Sequence, residues 1–568
     1  MTQNASFIRK IIYGGAIVAL LFPLFLLGQP ATKSESGRGS PGGKLAQMRA
    51  DFGLSQAELG KIDPASETMK MATLGLRGFA TNLLWTKANA YKMRESWDRL
   101  SATLNQIAKL QPNYITVWEF QAHNLSYNVS AEFDDYRHRY HWVKKGLDFL
   151  MEGTQYNQRN PRLFWNLGWF TGHKIGISDE SKQFRKLFRE DEPFHDKMLY
   201  IDMSRARGPD GYVDNWLVAH LWYLQSSAVV DTGVPITWLR MDPEKEGLTD
   251  KRRSSVIFYS DPSMALIGHA EAITGEMEPG EKTRNAWRRA GLEWEKFGNL
   301  DIPTSFGHTV RLNSLRQLQA EEQRMRAKLE ELSPGLREEI REERRAALTP
   351  DQLAVWENRK SMVDLSPDEM ANFREAFSRL TVTDLDVAAA LPDQLRARAL
   401  YFAMRATEAN NLADRTSSYA GIVNYDYWKT RCEVEQSKVT ADARRFTMLA
   451  DRAADGGDPE GARGYYEQAW DEWVQIFEKY PQLVDDVMAE DLKPAVFRYK
   501  LVLDQLDEEF PRDFKLKMLD EPPEGEMPPE GQMPPEGMLN ESGSGTESEA
   551  GQDAGTAPAA AGDAKSGQ

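Results

Sequence analysis

Helices are what the residues of this chain specify, on three observations. Apolar side chains recur at intervals of three and four over long stretches, as in Met69, Leu76, Phe79, Leu83 and Leu84. A small cap residue directly before proline marks helix starts at several points, first at Asp63 and Pro64. Bulky rings and aliphatics also recur at fixed offsets before a closing proline, the pattern of one helical hairpin stacked on the next.

The amino terminus opens with an apolar stretch at residues 11–27, preceded by Arg9 and Lys10. At about 1.5 Å per residue it reaches roughly 26 Å, close to the ~30 Å of a bilayer core, and Phe7 and Ile8 extend it. Leu26, Leu27, Gly28 and Gln29 lack a small-x-small cleavage pattern, so the stretch reads as an uncleaved signal anchor rather than a cleaved signal peptide or a core helix. The basic pair abutting it places the amino terminus in the cytoplasm and the bulk of the chain outside, despite Lys33, Arg38, Lys44 and Arg49 on the far side. Residues 31–44 are Gly, Ser, Pro and Lys, a flexible spacer. Gly37, Gly39 and Gly42 spell GxGxxG there, without the strand and helix a dinucleotide site requires.

Internal periodicity follows. Before Pro112, the residues Tyr91, Trp97, Leu100, Leu104 and Ile107 stand at the offsets of a helix-turn-helix unit of about 34 residues. A longer unit uses residues 114–127 and 136–156 and ends at Pro161, after which Trp165, Leu167 and Gly168 open another helix. Downstream, Gly464, Tyr466, Ala469, Trp473 and Pro481 repeat the offsets, with Gly456, Gly457 and Asp458 as the turn. In these residues the chain resembles the tetratricopeptide-repeat superfamily over about a third of its length. The resemblance implies paired antiparallel helices stacked into an α-solenoid whose concave face holds a peptide or a partner protein. The helix-A signature Trp-x-x-Leu-Gly-x-x-Tyr is nowhere complete, so a generic helical-repeat array is the alternative.

Between residues 176 and 303 the pattern loosens. Residues 185–192 are charged, and a loop at 208–211 precedes an aromatic helix at 212–224. Residues 229–236 and 254–259 read as short strands or as loops, and helices are expected at 262–274 and 281–297. Residues 309–347 predict a long exposed helix or helix pair. Leu332-Ser333-Pro334, Leu348-Thr349-Pro350 and Leu365-Ser366-Pro367 then each place a cap before proline, with Gln352 and Glu369 completing capping boxes in the last two. Further helices are expected at 393–410, 418–439, 441–454, 459–480 and 494–510. Beyond them Met527, Met533 and Met538 recur among Pro-Pro-Glu-Gly units, a low-complexity tail expected to stay extended and solvated.

Chemistry leaves few marks. The net charge of −16 argues against a nucleic-acid partner, and about ten of those charges fall after Met518. His138 and His141 lie three apart, but no third ligand accompanies them, and His269 with Glu271 is a weaker pair still. The single cysteine, Cys432, sits between Arg431 and Glu433 with no adjacent base. No GxSxG elbow, P-loop or paired-cysteine motif occurs. Glu338, Glu339, Glu342 and Glu343 interleave with Arg337, Arg341, Arg344 and Arg345 as a solvated helix pairs its own charges. Trp85, Tyr91, Trp97, Tyr114, Trp118, Phe120, Tyr127, Phe133, Tyr136, Tyr140 and Trp142 crowd one region, as interhelix packing or as a cleft that grips glycan or peptide.

These readings predict an all-α, TPR-like α-solenoid with an amino-terminal transmembrane helix and a disordered carboxy-terminal tail. Its segments are an anchor (1–30), a linker (31–62), helical repeats (63–175), a mixed helix and loop region (176–303), long charged helices (304–390), further repeats (391–515) and the tail (516–568). The expected function is a single-pass cell-membrane scaffold or adaptor binding other proteins outside the cytoplasm, with no catalytic, cofactor-binding or metal residues assigned. The alternative is an enzyme or glycan-binding protein with a pocket within 176–303, for which His195, Asp196, Asp261 and His269 are the candidates.

Overall fold

Residues 77–519 are described by a computed structural model, apart from 235–236, 243–246, 253–254, 305–307, 358–364 and 485–486; a few isolated positions before residue 77 are described too. The described residues are all-α, with two small antiparallel ladders among them, Thr237–Asp242 on Gly247–Arg252 and Ile302–Pro303 on Thr309–Val310. Two compact units emerge: Met1–Ile236 with Gly268–Met277 and Phe446–Gln568, and Thr237–Ile267 with Glu278–Arg445.

The membrane anchor expected at residues 1–30, and with it the single-pass cell-membrane placement, is corrected. Among the described residues no helix is long and apolar enough to cross a membrane. The longest, Asp393–Ile422, carries Arg398, Arg405, Glu408 and Asp414, and such charges interrupt any apolar span. Within residues 11–27 only Ile12, Tyr13, Gly15, Ala16, Ala19 and Pro23 are described, and the 31–62 linker lies outside the described residues except at Gly43, Lys44, Gln47 and Met48.

In the first unit, α1 (Arg77–Lys92) and α2 (Trp97–Leu110) form a hairpin. Helix α3 (Ile115–His123) runs directly into a wider turn of i→i+5 bonds over Asn124–Val129, and α4 (Tyr136–Tyr156) follows, capped by Asp135 on the Arg137 amide at 2.7 Å. Helix α5 (Pro161–Trp169), with Asn160 as its cap and proline at its start, widens in the same way over Phe170–Lys174. The hairpin residues read from the sequence are core: Leu100, Leu104 and Ile107 are fully buried. Trp118 lies 4.5 Å from Phe149 and 5.9 Å from Tyr156, and its Nε1 donates to the Pro112 carbonyl at 2.8 Å. Asn157 donates to the same carbonyl at 2.8 Å, stitching the α2–α3 turn to the end of α4.

Helices α6 (Ser181–Glu190) and α7 (Asn215–Asp231) complete this stretch. Gly168, Gly172 and Gly176, one per helical turn, form a groove for α7. A Cβ at Gly168 would stand 2.8 Å from Tyr223, and Cβ atoms at Gly172 and Gly176 would stand 2.9 and 2.8 Å from Trp216. Gly268 clears the same indole, where a Cβ would approach to 2.9 Å. In the carboxy-terminal part, Asp458 caps Pro459–Lys479 after Gly457 turns the chain at φ 76°, and Tyr466, Ala469 and Trp473 are fully buried. Tyr466 donates to Asp451 at 2.6 Å. Leu516 and Leu519 are buried at the end of this part, and the expected tail beyond residue 519 lies outside the described residues.

The second unit centres on Asp393–Ile422, whose Ala399, Ala403 and Ala406 make a buried seam with Met325 and Leu329 of Leu315–Leu332. Small side chains let the two backbones approach closely. Trp294 stacks on Tyr425 at 5.6 Å and donates to its carbonyl at 3.0 Å. Arg337 does not stay on its own helix: it donates to the Val382 carbonyl at 2.6 Å and pairs with Asp384, while Arg344 reaches Asp386 at 3.1 Å.

Several local expectations shift. Residues 229–231 end a helix and 255–259 begin one, Ser255–Glu276, while the strands lie between them. Leu332-Ser333-Pro334 closes a helix instead of opening one; the next begins at Leu336 because Gly335 takes a left-handed φ of 73°. The other two boxes form, Thr349 with Gln352 and Ser366 with Glu369. The helix expected over 418–439 is interrupted at Asn424, at φ 48°.

Candidate functional site

Helices α3 and α5 present half-buried residues at four-residue spacing, which puts them on one face of each helix. Helix α3 and its widened turn supply Glu119, His123 and Tyr127; α5 and its turn supply Trp165, Trp169 and His173, with Arg162 and Asn166 beside them. Each set forms a stacked column. His123 lies 4.6 Å from Tyr127, Trp165 lies 5.7 Å from Trp169, and Trp169 lies 3.6 Å from His173.

The two columns are tied together. Glu119 pairs with Arg162 and accepts from Asn166 at 2.7 Å. Tyr127 meets Phe170 edge-on at 5.7 Å, and the Lys174 ammonium stands 4.6 Å over its ring. Helix α1 adds Trp85, 5.7 Å from Phe120, and Lys92, 5.1 Å over the same ring. The result is a strip of rings edged by cations.

Electrostatics follow from burial. Loss of hydration, only partly offset by Arg162 and Asn166, pushes Glu119 up to about 7. Burial, then the charges of Lys92 and Lys174, hold the His123 imidazole below its usual range, so it is neutral at physiological pH. Burial raises the Tyr127 phenol. Both widened turns begin immediately after strip residues, His123 and Trp169, and such turns are frequent at functional sites.

The residues singled out by sequence are distributed differently. His138 and His141 are exposed on α4 beside Phe133 and Trp142, and among the described residues no group of three or more His, Cys, Asp or Glu is arranged around a metal position. Cys432 is buried, with Gly291 across from its Cβ. The aromatic crowd divides: Trp118 and Tyr140 are core, while Trp85, Phe120 and Tyr127 belong to the strip. His123, Trp169, His173 and the Glu119–Arg162 pair escaped the sequence reading. Their one legible signal is the i, i+4 repetition of ring and polar residues.

Within residues 176–303, His269 is buried against Asp214. Its Nδ1 lies 2.9 Å from Asp214, which also pairs with Arg185 at 2.9 Å. Arg185 further reaches Asn215 and Glu276, and Arg189 joins Glu276. Burial opposes ionisation of Asp214, but His269 and Arg185 hold its carboxyl well below the usual carboxylate range. His195 packs 4.8 Å from Phe188, apart from this cluster's contacts. The adjoining cavity, about 180 Å³ and lined by Arg189, Asp210, Asp214 and Glu276, is small beside the ~300–1,000 Å³ of most ligand pockets. The cluster is a set of charges satisfying one another. No protein-family model matches the chain, and no curated protein matches its sequence.

Proposed function

We propose that this chain is a TPR-like helical-repeat adaptor whose α3–α5 strip receives an extended segment of a partner protein. The observation that carries the reading is the pair of stacked columns on consecutive hairpins, Glu119, His123 and Tyr127 beside Trp165, Trp169 and His173. Rings that are half-buried and locked by neighbours offer contact area at low entropic cost, as in the anchors that dominate interfaces. Arg162 and Asn166, held by Glu119, are polar groups that can orient a peptide backbone. The mechanism is contact, with a solenoid of stacked hairpins as its frame.

Photo-crosslinking in intact cells tests this. A photoreactive residue placed at Tyr127 or Trp169 is expected to give adducts to other polypeptides, and the same residue at Arg137 or Lys182 to give few. Equal labelling at all four positions would remove the strip from the interface.

A further inference from the structure

The α3–α5 strip and the last part of the chain are complementary in charge and in chemistry. Lys92 and Lys174 edge the strip, each set over a ring, Phe120 at 5.1 Å and Tyr127 at 4.6 Å. Burial first, then the charges of both, lowers the pKa of His123, which sets the two ammonium groups beside one imidazole. Among the described residues neither forms an ion pair with a carboxylate; Glu180 and Asp179 act on Lys174 only through space, and Glu180 is engaged by Arg139. The strip therefore offers half-buried indole and phenol faces next to two cations that lack a counter-charge.

Residues 521–538 have the opposite character. They include Glu521, Glu524, Glu526, Glu530 and Glu536 and neither lysine nor arginine. Pro522, Pro528 and Pro534 recur every six residues, as do Glu524, Glu530 and Glu536, with Met527, Met533 and Met538 among them. Proline favours a left-handed helix of about three residues per turn, so a spacing of six is two turns and returns each residue type to one face. Proline-rich segments of this kind dock on aromatic-lined grooves at low entropic cost. The thioether of methionine adds favourable contacts with ring edges.

We propose that residues 522–538 occupy the α3–α5 strip of their own chain, with prolines and methionines on Tyr127, Trp165 and Trp169 and glutamates toward Lys92 and Lys174. The contact competes with the partner segment and so regulates access to the strip; it rests on the strip being a docking surface. Covalent attachment holds the segment at an effective concentration of about a millimolar, so a contact too weak to form between separate molecules fills the site within one. The repeated units offer the strip equivalent registers, which raises that concentration further.

Photo-crosslinking of the purified full-length protein at micromolar concentration and low ionic strength tests the contact. A photoreactive residue is placed at Tyr127 or Trp169 and, as controls, at Arg137 or Lys182, and the adducts are mapped by mass spectrometry. The strip positions are expected to give intrachain adducts to 522–538 and the controls few. Glu524→Lys with Glu530→Lys and Glu536→Lys is expected to reduce those adducts at least about threefold, and it lies outside 77–519, so the fold is not at stake. In intact cells the same triple variant is expected to raise strip adducts to other polypeptides about twofold by weakening the competitor. Tail adducts no more frequent than from the control positions, adducts undiminished by the lysines, or adducts only between two chains that fade on dilution would overturn the inference. Strip positions that label other polypeptides in cells but never the tail would leave the adaptor standing without its regulator; labelling of the tail alone, in cells and in isolation, would keep the contact and remove the adaptor.

Discussion

Gly172 and Trp216 are a fitted pair: a methyl group added at Gly172 would lie 2.9 Å from the indole, and Gly176 and Gly268 crowd the same ring from other sides. In an exposed helix, glycine to alanine is a gain of roughly 1 kcal/mol. Here overpacking outweighs it, because the indole is 7% exposed and three glycines already close on it. Gly172→Ala, Gly176→Ala and Gly268→Ala are each expected to destabilise by about 1–3 kcal/mol in urea unfolding. Gly464→Ala is the control: nothing lies within 4 Å of the added methyl, and the change should be neutral or stabilising by up to ~1 kcal/mol.

Asp214 does two jobs, and its substitutions should separate them. Its Oδ1 accepts from the Trp216 and Leu217 amides at 3.0 and 3.2 Å, starting α7, while its Oδ2 faces Arg185, 4% exposed. Asp214→Ala removes the cap and leaves a buried guanidinium short of a counter-charge, a loss of about 3–5 kcal/mol. Asp214→Asn keeps the cap geometry and should cost less. Because the folded carboxyl is held below its unfolded value, the stability it confers is present above about pH 4 and is lost as pH falls toward the folded value. The acid limb of the wild-type stability curve should therefore flatten in both variants.

How much of this could be read from the chain depends on how local the determining contacts are. The helices beginning at Pro350 and Pro367 were legible because cap and box residues stand within four positions of one another. At Ser333 the same signal misled, since Gly335 took the left-handed turn two residues later and moved the helix start. The spacing of Gly168, Gly172 and Gly176 is visible in the sequence, but the rings that need it, Trp216 and Tyr223, lie 40 or more residues on. Arg185 and Glu276 meet across 91 positions, and no periodicity records that. The strip follows the same rule: each column is a helical repeat of residues, whereas the contact between columns, Glu119 to Arg162, is tertiary.

Glu119 should impose a pH dependence of the opposite sense to that of Asp214. Burial raises its folded pKa to about 7 from 4.5, so the folded state holds the proton more tightly than the unfolded chain. Stability is then greatest below pH 4.5 and declines as pH rises through 7, by an amount on the order of 3 kcal/mol for a side chain 13% exposed. Glu119→Gln keeps an acceptor for Arg162 and Asn166 but cannot ionise. Urea unfolding at pH 5, 6, 7 and 8 should show the wild-type curve falling relative to the variant; parallel curves would mean that Glu119 is ionised throughout.

Asn424 makes the sharpest contrast between propensity and structure. Read by propensity alone, Asn424→Ala improves a helix, because alanine is the best helix former and the flanking residues are helical. The backbone here is left-handed, with φ 48° and ψ 48°, and asparagine tolerates that region where alanine pays a steric cost of about 1–2 kcal/mol. The turn sets the start of Tyr425–Glu435 and so the placement of Tyr425, which is 3% exposed, stacks on Trp294 and donates to Asn313 at 2.8 Å. Asn424→Ala is therefore expected to lower stability by roughly 1 kcal/mol and Asn424→Gly to leave it within a few tenths. A gain in the urea midpoint for Asn424→Ala would mean that the helix runs unbroken through this position, as the periodicity alone suggests.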